Sequence, residues 1–269
     1  MAVPPTDAAS SPLVSCLMVT RDRPALARRA LQCLSAQTWP RFELVIVDDG
    51  AVDYSEMLAP FSNKFPIHYH RLPPEDGRFL GALRNISLER ANGEFLVQWD
   101  DDEWYHPDRI RFQVEHLLRT DSQAVVLKWT LMHLSSPRYV DHPYRSDVGA
   151  GTPGTILHRK TAVRYPNAKR AEDSVFLEQI RSEGPVGVLG PEHSHLFIRC
   201  FHGANTWDES HFLRRLRRTP RDALELAWAR FVRRDIFAHR AFQLSAAERQ
   251  AAQRFLAESR ELGLLPPRA

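Results

Sequence analysis

The chain is 269 residues long, 43% of them hydrophobic, with a formal charge of only +3. That composition can bury a full core, as one large α/β domain or two small ones, and the charge alone gives no reason to expect nucleic acid. Cys16, Cys33 and Cys200 are odd in number, widely spaced and without a CxxC pair, which argues against a disulfide framework or a thiolate zinc site and fits a reducing compartment.

Residues 1–12, rich in Pro, Ala and Ser, read as a disordered leader. The leader lacks a basic region, and the apolar stretch LVSCLMV behind it is too short for a secretory core and runs into the charged TRDR. No segment reaches ~18 uninterrupted apolar residues, so none is expected to span a bilayer and a cytoplasmic location is the expectation. Residues 13–20 form an apolar run of buried-strand length. Arg23 and Pro24 then open a helical pattern with Leu26, Ala30, Leu31 and Leu34 on one face. The run FELVIV at 42–47 is a second buried strand, continuously apolar as expected where helices cover both faces of a parallel sheet. A strand at 67–71, a polar loop, a helix at 80–91 and a strand at 94–99 continue the alternation, with right-handed crossovers. A helix at 107–119, a strand at 124–132, a loop-rich stretch through Gly154, a short strand at 155–158, a helix at 173–182 and strands at 186–189 and 196–200 follow. After His211 the pattern turns helical, with Asp222 as expected N-cap and Leu224, Trp228, Phe231 and Val232 on one side. The expectation is α/β: a single Rossmann-like, mainly parallel sheet flanked by helices, whose ligands bind beyond the carboxyl ends of the strands.

Four polar elements fall at those ends. Thr20, Arg21, Asp22 and Arg23 follow the first strand, and Asp48, Asp49 and Gly50 follow the second. The third is WDDDEWYHPDRI, beginning at Trp99. Its adjacent carboxylates, Asp100, Asp101 and Asp102, repel one another and lose hydration at the rim of a sheet, so a cation is expected among them. Mg²⁺ or Mn²⁺ suits such oxygen ligands, combining one or two carboxylates with the phosphates of a substrate. An extended backbone would send Asp100 and Asp102 to one side and Asp101 to the other. The fourth element, Glu172 and Asp173, opens an amphipathic helix, where a carboxylate could act as a base and where acids are also favoured by the helix dipole.

With VSCLMVTRDRPALARRALQCLSAQTWPRFELVIVDDG, then LRNISLERANGEFLVQWDDDEWYHPDRI, then RAEDSVFL in that order, residues 13–182 resemble the family 2 glycosyltransferases of the GT-A fold. The resemblance implies an inverting, metal-dependent enzyme that uses a nucleoside-diphosphate sugar, UDP-sugars being favoured. It places Thr20 and Arg21 near the nucleotide, although the family's usual aromatic and Asn after that Thr are here Arg21 and Asp22. Asp49 would bind the edge of the base, and Arg78 or Arg84 would approach the nucleotide. Asp100 and Asp101 would hold the ribose or metal-bound water, and Asp102, with Asp100, would ligate Mn²⁺ or Mg²⁺. Asp173 would be the catalytic base, with Glu172 beside it. The family's habit of supplying a late histidine to the metal points into FHGANTWDESHF, residues 201–212, and to His202 over His211.

The implied organisation is a leader at 1–12, a GT-A domain at 13–212 and a helical Arg-rich extension at 213–269. Between Arg199 and Arg240 ten Arg stand against five acids. These arginines form a solvated face, hold an anionic acceptor or make a peripheral contact at the inner face of a membrane. Gly149, Gly151 and Gly154 match GxGxxG literally, but no apolar strand precedes them and Pro153 with TIL follows, so the segment is read as a loop near the acceptor. His68 with His70, and His193 with His195, each place two imidazoles on one strand face without a third ligand nearby in sequence, and are read as surface polarity. The acceptor is a glycan, a peptide or a small molecule; no nucleic acid is expected. Two alternatives remain at this stage. A sugar nucleotidyltransferase on a related sheet calls for a Gly-rich loop that TRDRPAL lacks, and a basic binding module using the C-terminal helices would have no need of Asp102.

Overall fold

The fold comes from a computed structural model that describes residues 10–267 except 74, 76, 169, 204, 206 and 207. In chain order its elements begin β1 (Val14–Thr20), α1 (Pro24–Ser35), β2 (Phe42–Asp48), α2 (Ser55–Ser62), β3 (Ile67–Arg71), α3 (Leu80–Arg90), β4 (Phe95–Gln98), β5 (Trp104–Tyr105) and α4 (Arg109–Thr120). They continue with β6 (Ala124–Leu127), β7 (Trp129–Leu134), β8 (Tyr144–Asp147), β9 (Leu157–Arg159), α5 (Glu172–Glu183), β10 (Val186–Leu189), β11 (Phe197–Phe201), α6 (Glu209–Leu213), α7 (Pro220–Phe231) and α8 (Ala246–Glu261).

The chain divides into two compact units. The first holds residues up to Asp102, Pro107–Val126 and Pro153–Leu189. Its seven-stranded sheet runs β10-β6-β9-β4-β1-β2-β3, with β1 parallel to β2 and β4, β2 parallel to β3, and β9 antiparallel to both β4 and β6. This is the mainly parallel α/β sheet that the alternating apolar runs predict. β1 is buried along its whole length. Leu17, Val45, Leu96, Ala124 and Ile156 pack with Leu88 of α3 and Phe176, Leu177 and Ile180 of α5. Trp99, wholly buried, donates its indole N–H to the Ala30 carbonyl of α1 at 3.1 Å, which ties the end of β4 to that helix. Of the expected leader, residues 1–9 lie outside the described residues. Ser11 is buried, and its carbonyl accepts from Arg41 Nη1 at 3.1 Å.

The second unit holds Glu103–His106, Leu127–Thr152 and Gly190–Ala269. It is built on a four-stranded sheet, β5-β11-β7-β8, in which β11 runs parallel to β7 and antiparallel to β5. The strand expected at 124–132 is therefore two strands. The chain leaves the large sheet after Leu127 and enters the small one at Trp129, a change that an unbroken apolar run does not reveal. Met132, Leu134, Tyr144, Phe212 and Leu216 form this unit's core. Glu248, buried in α8, pairs with Arg145 and accepts from Ser194 Oγ at 2.6 Å.

Two further expectations are corrected here. His193 and His195 lie on a 3-10 helix, Pro191–Leu196, and not on a strand. The N-cap of α7 is Thr219, one turn before Asp222, because Pro220 occupies the first helical position and Asp222 closes a capping box with Thr219. The apolar residues Leu224, Trp228 and Phe231 of that helix face outward; Ala229 is its buried side. Among the described residues no helix is long and apolar enough to cross a membrane.

Candidate active site

The register of the first unit's sheet brings the polar elements together. β1 and β4 align with Leu17 opposite Gln98, so Thr20 and Asp101 lie three residues further along each chain. Thr20 donates from Oγ1 to Asp101 Oδ2 at 2.7 Å and lies 3.0 Å from the Tyr54 hydroxyl. β1 and β2 end together, with Thr20 opposite Asp48. Asp48 accepts from the Gly50 amide at 2.8 Å and from the Tyr69 hydroxyl at 2.7 Å, which fixes the turn after β2. Asp22, in a left-handed conformation at φ 51°, accepts through Oδ1 from the amides of Ala51 and Val52 at 2.7 and 2.9 Å. A Cβ on Gly50 would stand 2.7 Å from that same oxygen, so the close approach of these two loops requires glycine there.

Asp49 follows in this turn and is buried, while Arg21, 61% exposed, lies 3.8 Å from its Oδ2. Asp49 Oδ1 is buried with no hydrogen-bond partner among the described residues. A buried carboxylate oxygen left without a donor is destabilising in the absence of a ligand, and it offers an acceptor to an N–H brought from outside.

Arginines compensate the acidic triplet. Arg23 reaches Asp101 Oδ1 at 2.8 Å and Asp102 Oδ2 at 3.0 Å, and Arg29 donates to the Asp102 carbonyl at 2.7 Å. Arg84, buried on α3, donates from Nη2 to Asp100 Oδ1 at 2.9 Å and from Nε to Glu172 Oε1 at 3.3 Å. The three aspartates do not alternate along a strand as expected. The strand ends at Gln98, Asp101 and Asp102 occupy a turn, and Arg23 takes one oxygen from each. Burial, reinforced by the charge of Asp102, pushes the Asp101 carboxyl up, and Arg23 and Thr20 act against that shift. Burial also works against the charge on Arg84, but Asp100, Tyr165, Glu172 and Asp173 outweigh it and hold the guanidinium protonated. Glu172 is raised by burial despite Arg84, with Asp173 adding to the rise.

Glu172 and Asp173 open α5 behind Ala171, whose φ of 60° turns the chain into the helix. Glu172 points inward to Arg84. Asp173 is half-buried and accepts through Oδ1 from the Ser174 amide at 2.7 Å. Arg78 is turned away into its own loop, donating to the Pro73 carbonyl at 2.8 Å and pairing with Glu75. Arg84 is thus the arginine drawn in among the acids.

His202 and His211 belong to the second unit. The His202 amide donates to Asn205 Oδ1 at 2.7 Å, and the His211 amide donates to Asp208 at the start of α6. Burial and the charges of Arg199, Arg215 and Arg214 push the His211 imidazole down. Among the described residues no three His, Cys, Asp or Glu side chains are gathered as a metal-holding group. The two outer aspartates still fit a hard cation: both present oxygen, and their side chains are open at 23% for Asp100 and 16% for Asp102.

Sequence reasoning missed Arg29, Tyr54 and Tyr165 as parts of this site and gave Arg23 no role in it. Tyr165 stacks on Phe176 at 3.9 Å and lies 5.6 Å from the Arg84 guanidinium. Arg23 alone carried a signal, being a cation in the same strand-end loop as Thr20.

Residues 15–159, more than half of the chain, match the profile of Glycosyl transferase family 2. The chain belongs to that family. A Haemophilus influenzae protein named as an uncharacterized glycosyltransferase is 30% identical to this family 2 chain over 202 residues, covering 70% of it and 79% of the relative. The first curated relatives, from Bacillus subtilis and Rickettsia, are longer proteins, and the family 2 chain spans about a third of each. S. aureus TarS 1-349 in complex with UDP-GlcNAc superposes with a TM-score of 0.59 at 19% identity, covering 92% of the chain and 72% of TarS. The mannosyltransferase PcManGT from Pyrobaculum calidifontis, in complex with GDP-Man and Mn2+, gives 0.55 at 19%, covering 97% and 83%. At this identity the likeness to both is one of fold, and that fold is GT-A.

Proposed function

We propose that this chain transfers a sugar from a nucleoside-diphosphate sugar, a UDP-sugar in preference, to a nucleophile on a glycan, peptide or small-molecule acceptor, with inversion at the anomeric carbon. The observation that carries this reading is the double grip of Arg84 on Asp100 and Glu172, which joins the acidic motif after β4 to the start of α5. Donor-binding groups and a candidate base therefore stand on one framework. Family membership supports it, as do neighbours of the same fold in complexes with UDP-GlcNAc and with GDP-Man.

In this reading Asp49 takes the N–H edge of the base through its unpartnered oxygen, with Thr20 and Arg21 beside it. Asp100 and Asp101 would hold the ribose or metal-bound water, and Asp102, with Asp100, would hold Mn²⁺ or Mg²⁺. That ion, when bound, neutralises the departing diphosphate. Arg23 bridges Asp101 and Asp102, and Arg84 bridges Asp100 and Glu172, so the acids are held in place in the free chain. Glu172 is committed to Arg84, which leaves Asp173, half-buried beside it, to take the acceptor proton. A base on the face opposite the leaving diphosphate dictates inversion. The protein works in the cytoplasm, peripherally at the inner face of a membrane.

The test uses an α-linked donor and NMR of the product. A β linkage is expected, and Asp173→Asn should lose on the order of 10²-fold or more in turnover while donor affinity holds. An α product, or an Asn variant of nearly full activity, would remove Asp173 from the mechanism.

A further inference from the structure

α7 exposes what a helix in a folded domain ordinarily buries. Leu224 is 73% exposed, Trp228 58%, Phe231 72% and Val232, just past its end, 56%. The spacing of the first three, four residues and then three, puts them on one face. The opposite side is the one that packs, through Ala229 and Leu226. Arg221 and Arg230 flank the apolar face, Arg233 and Arg234 follow it, and all four are exposed with no ion-pair partner among the described residues. Both acids of the helix, Asp222 and Glu225, are taken up by Arg240. The outward face is thus apolar at its centre and cationic at its edges.

We infer that this face is a docking surface for an anionic lipid bilayer. Leucine, tryptophan and phenylalanine on one line enter the acyl boundary, and arginines on either side meet the phosphates above it, as in helices that lie in the membrane plane. The charge complementarity decides the occupant. A nucleic acid would leave the apolar line in water, and a second copy of this chain would bring the same arginines against each other. The inference extends the peripheral location proposed above and does not depend on the donor chemistry.

Co-sedimentation of the full chain with vesicles of phosphatidylcholine alone, or mixed with phosphatidylglycerol, tests it without turnover. Trp228 is the most exposed tryptophan among the described residues, and the difference between the parent and Trp228→Phe isolates its fluorescence as the report of insertion. Binding to the anionic vesicles, a blue shift and quenching by brominated acyl chains are expected. The triple variant Leu224→Ser, Trp228→Ser, Phe231→Ser should lose about tenfold or more in partitioning with unchanged circular dichroism. Trp228→Phe should keep binding but lose the quenching. Failure to bind anionic vesicles, undiminished binding by the triple variant, a dimer that the triple variant dissolves, or tighter binding to nucleic acid than to vesicles would each overturn the inference.

Discussion

Arg84 lies within 2.9 Å of Asp100 and 3.3 Å of Glu172, residues 16 and 88 positions away, and no local pattern announces that pairing. The acids were legible because three adjacent carboxylates after an apolar strand are unusual on physical grounds, whereas their arginine partners come from other elements through tertiary packing. Asp49 allows a sharper test. Its buried Oδ1 has no partner among the described residues, so Asp49→Ala removes an unmet acceptor from the free chain and a met one from the complex. We expect an unchanged or higher Tm and a tenfold to hundredfold weaker UDP affinity, about 1–3 kcal/mol, by calorimetry. A lower Tm with unaltered affinity would make Asp49 structural.

Among the elements, strands β1, β2, β4 and β6 of the large sheet were readable because each is a mainly apolar run between polar turns, whereas β3 and β9 are short and carry His and Arg. The small sheet was not. Its strand β5 has two residues, and β11 pairs with β7 across 67 positions, Ile198 opposite Leu131, so its pairing is decided by long-range packing. The start of α8 holds one group through which this unit responds to acid. Burial pushes Glu248 up, but hydrogen bonds from Arg145, Ser194 and the Ser245 amide outweigh it and bring the carboxyl from 4.5 down to about 2. A depressed carboxyl stabilises the folded state above its unfolded value and loses that contribution as pH falls through the folded one, so the window runs from about 4.5 down to about 2. The contribution is about 3 kcal/mol. Glu248→Gln should lower Tm at neutral pH by roughly 5–10 °C and flatten the acid limb between those values. A variant with the acid limb of the parent would place the titration elsewhere.

At the scale of the whole molecule, the family, the α/β sheet and the acidic motif after its central strand agree with one another and with a nucleotide-sugar site. The arginine-rich tail was legible as charge but not as orientation: the spacing that gathers Leu224, Trp228 and Phe231 on one face cannot say whether that face looks in or out. We propose that the acid cluster of the first unit binds a nucleoside diphosphate together with a divalent ion. Calorimetry of UDP and GDP binding, with and without Mn²⁺, on the parent and on Asp102→Asn tests it most directly. One nucleotide should bind at least about tenfold tighter with the metal, ~1.4 kcal/mol, and Asp102→Asn should abolish this increment while the fold survives. Equal affinities with and without Mn²⁺ for both nucleotides in the parent would contradict it.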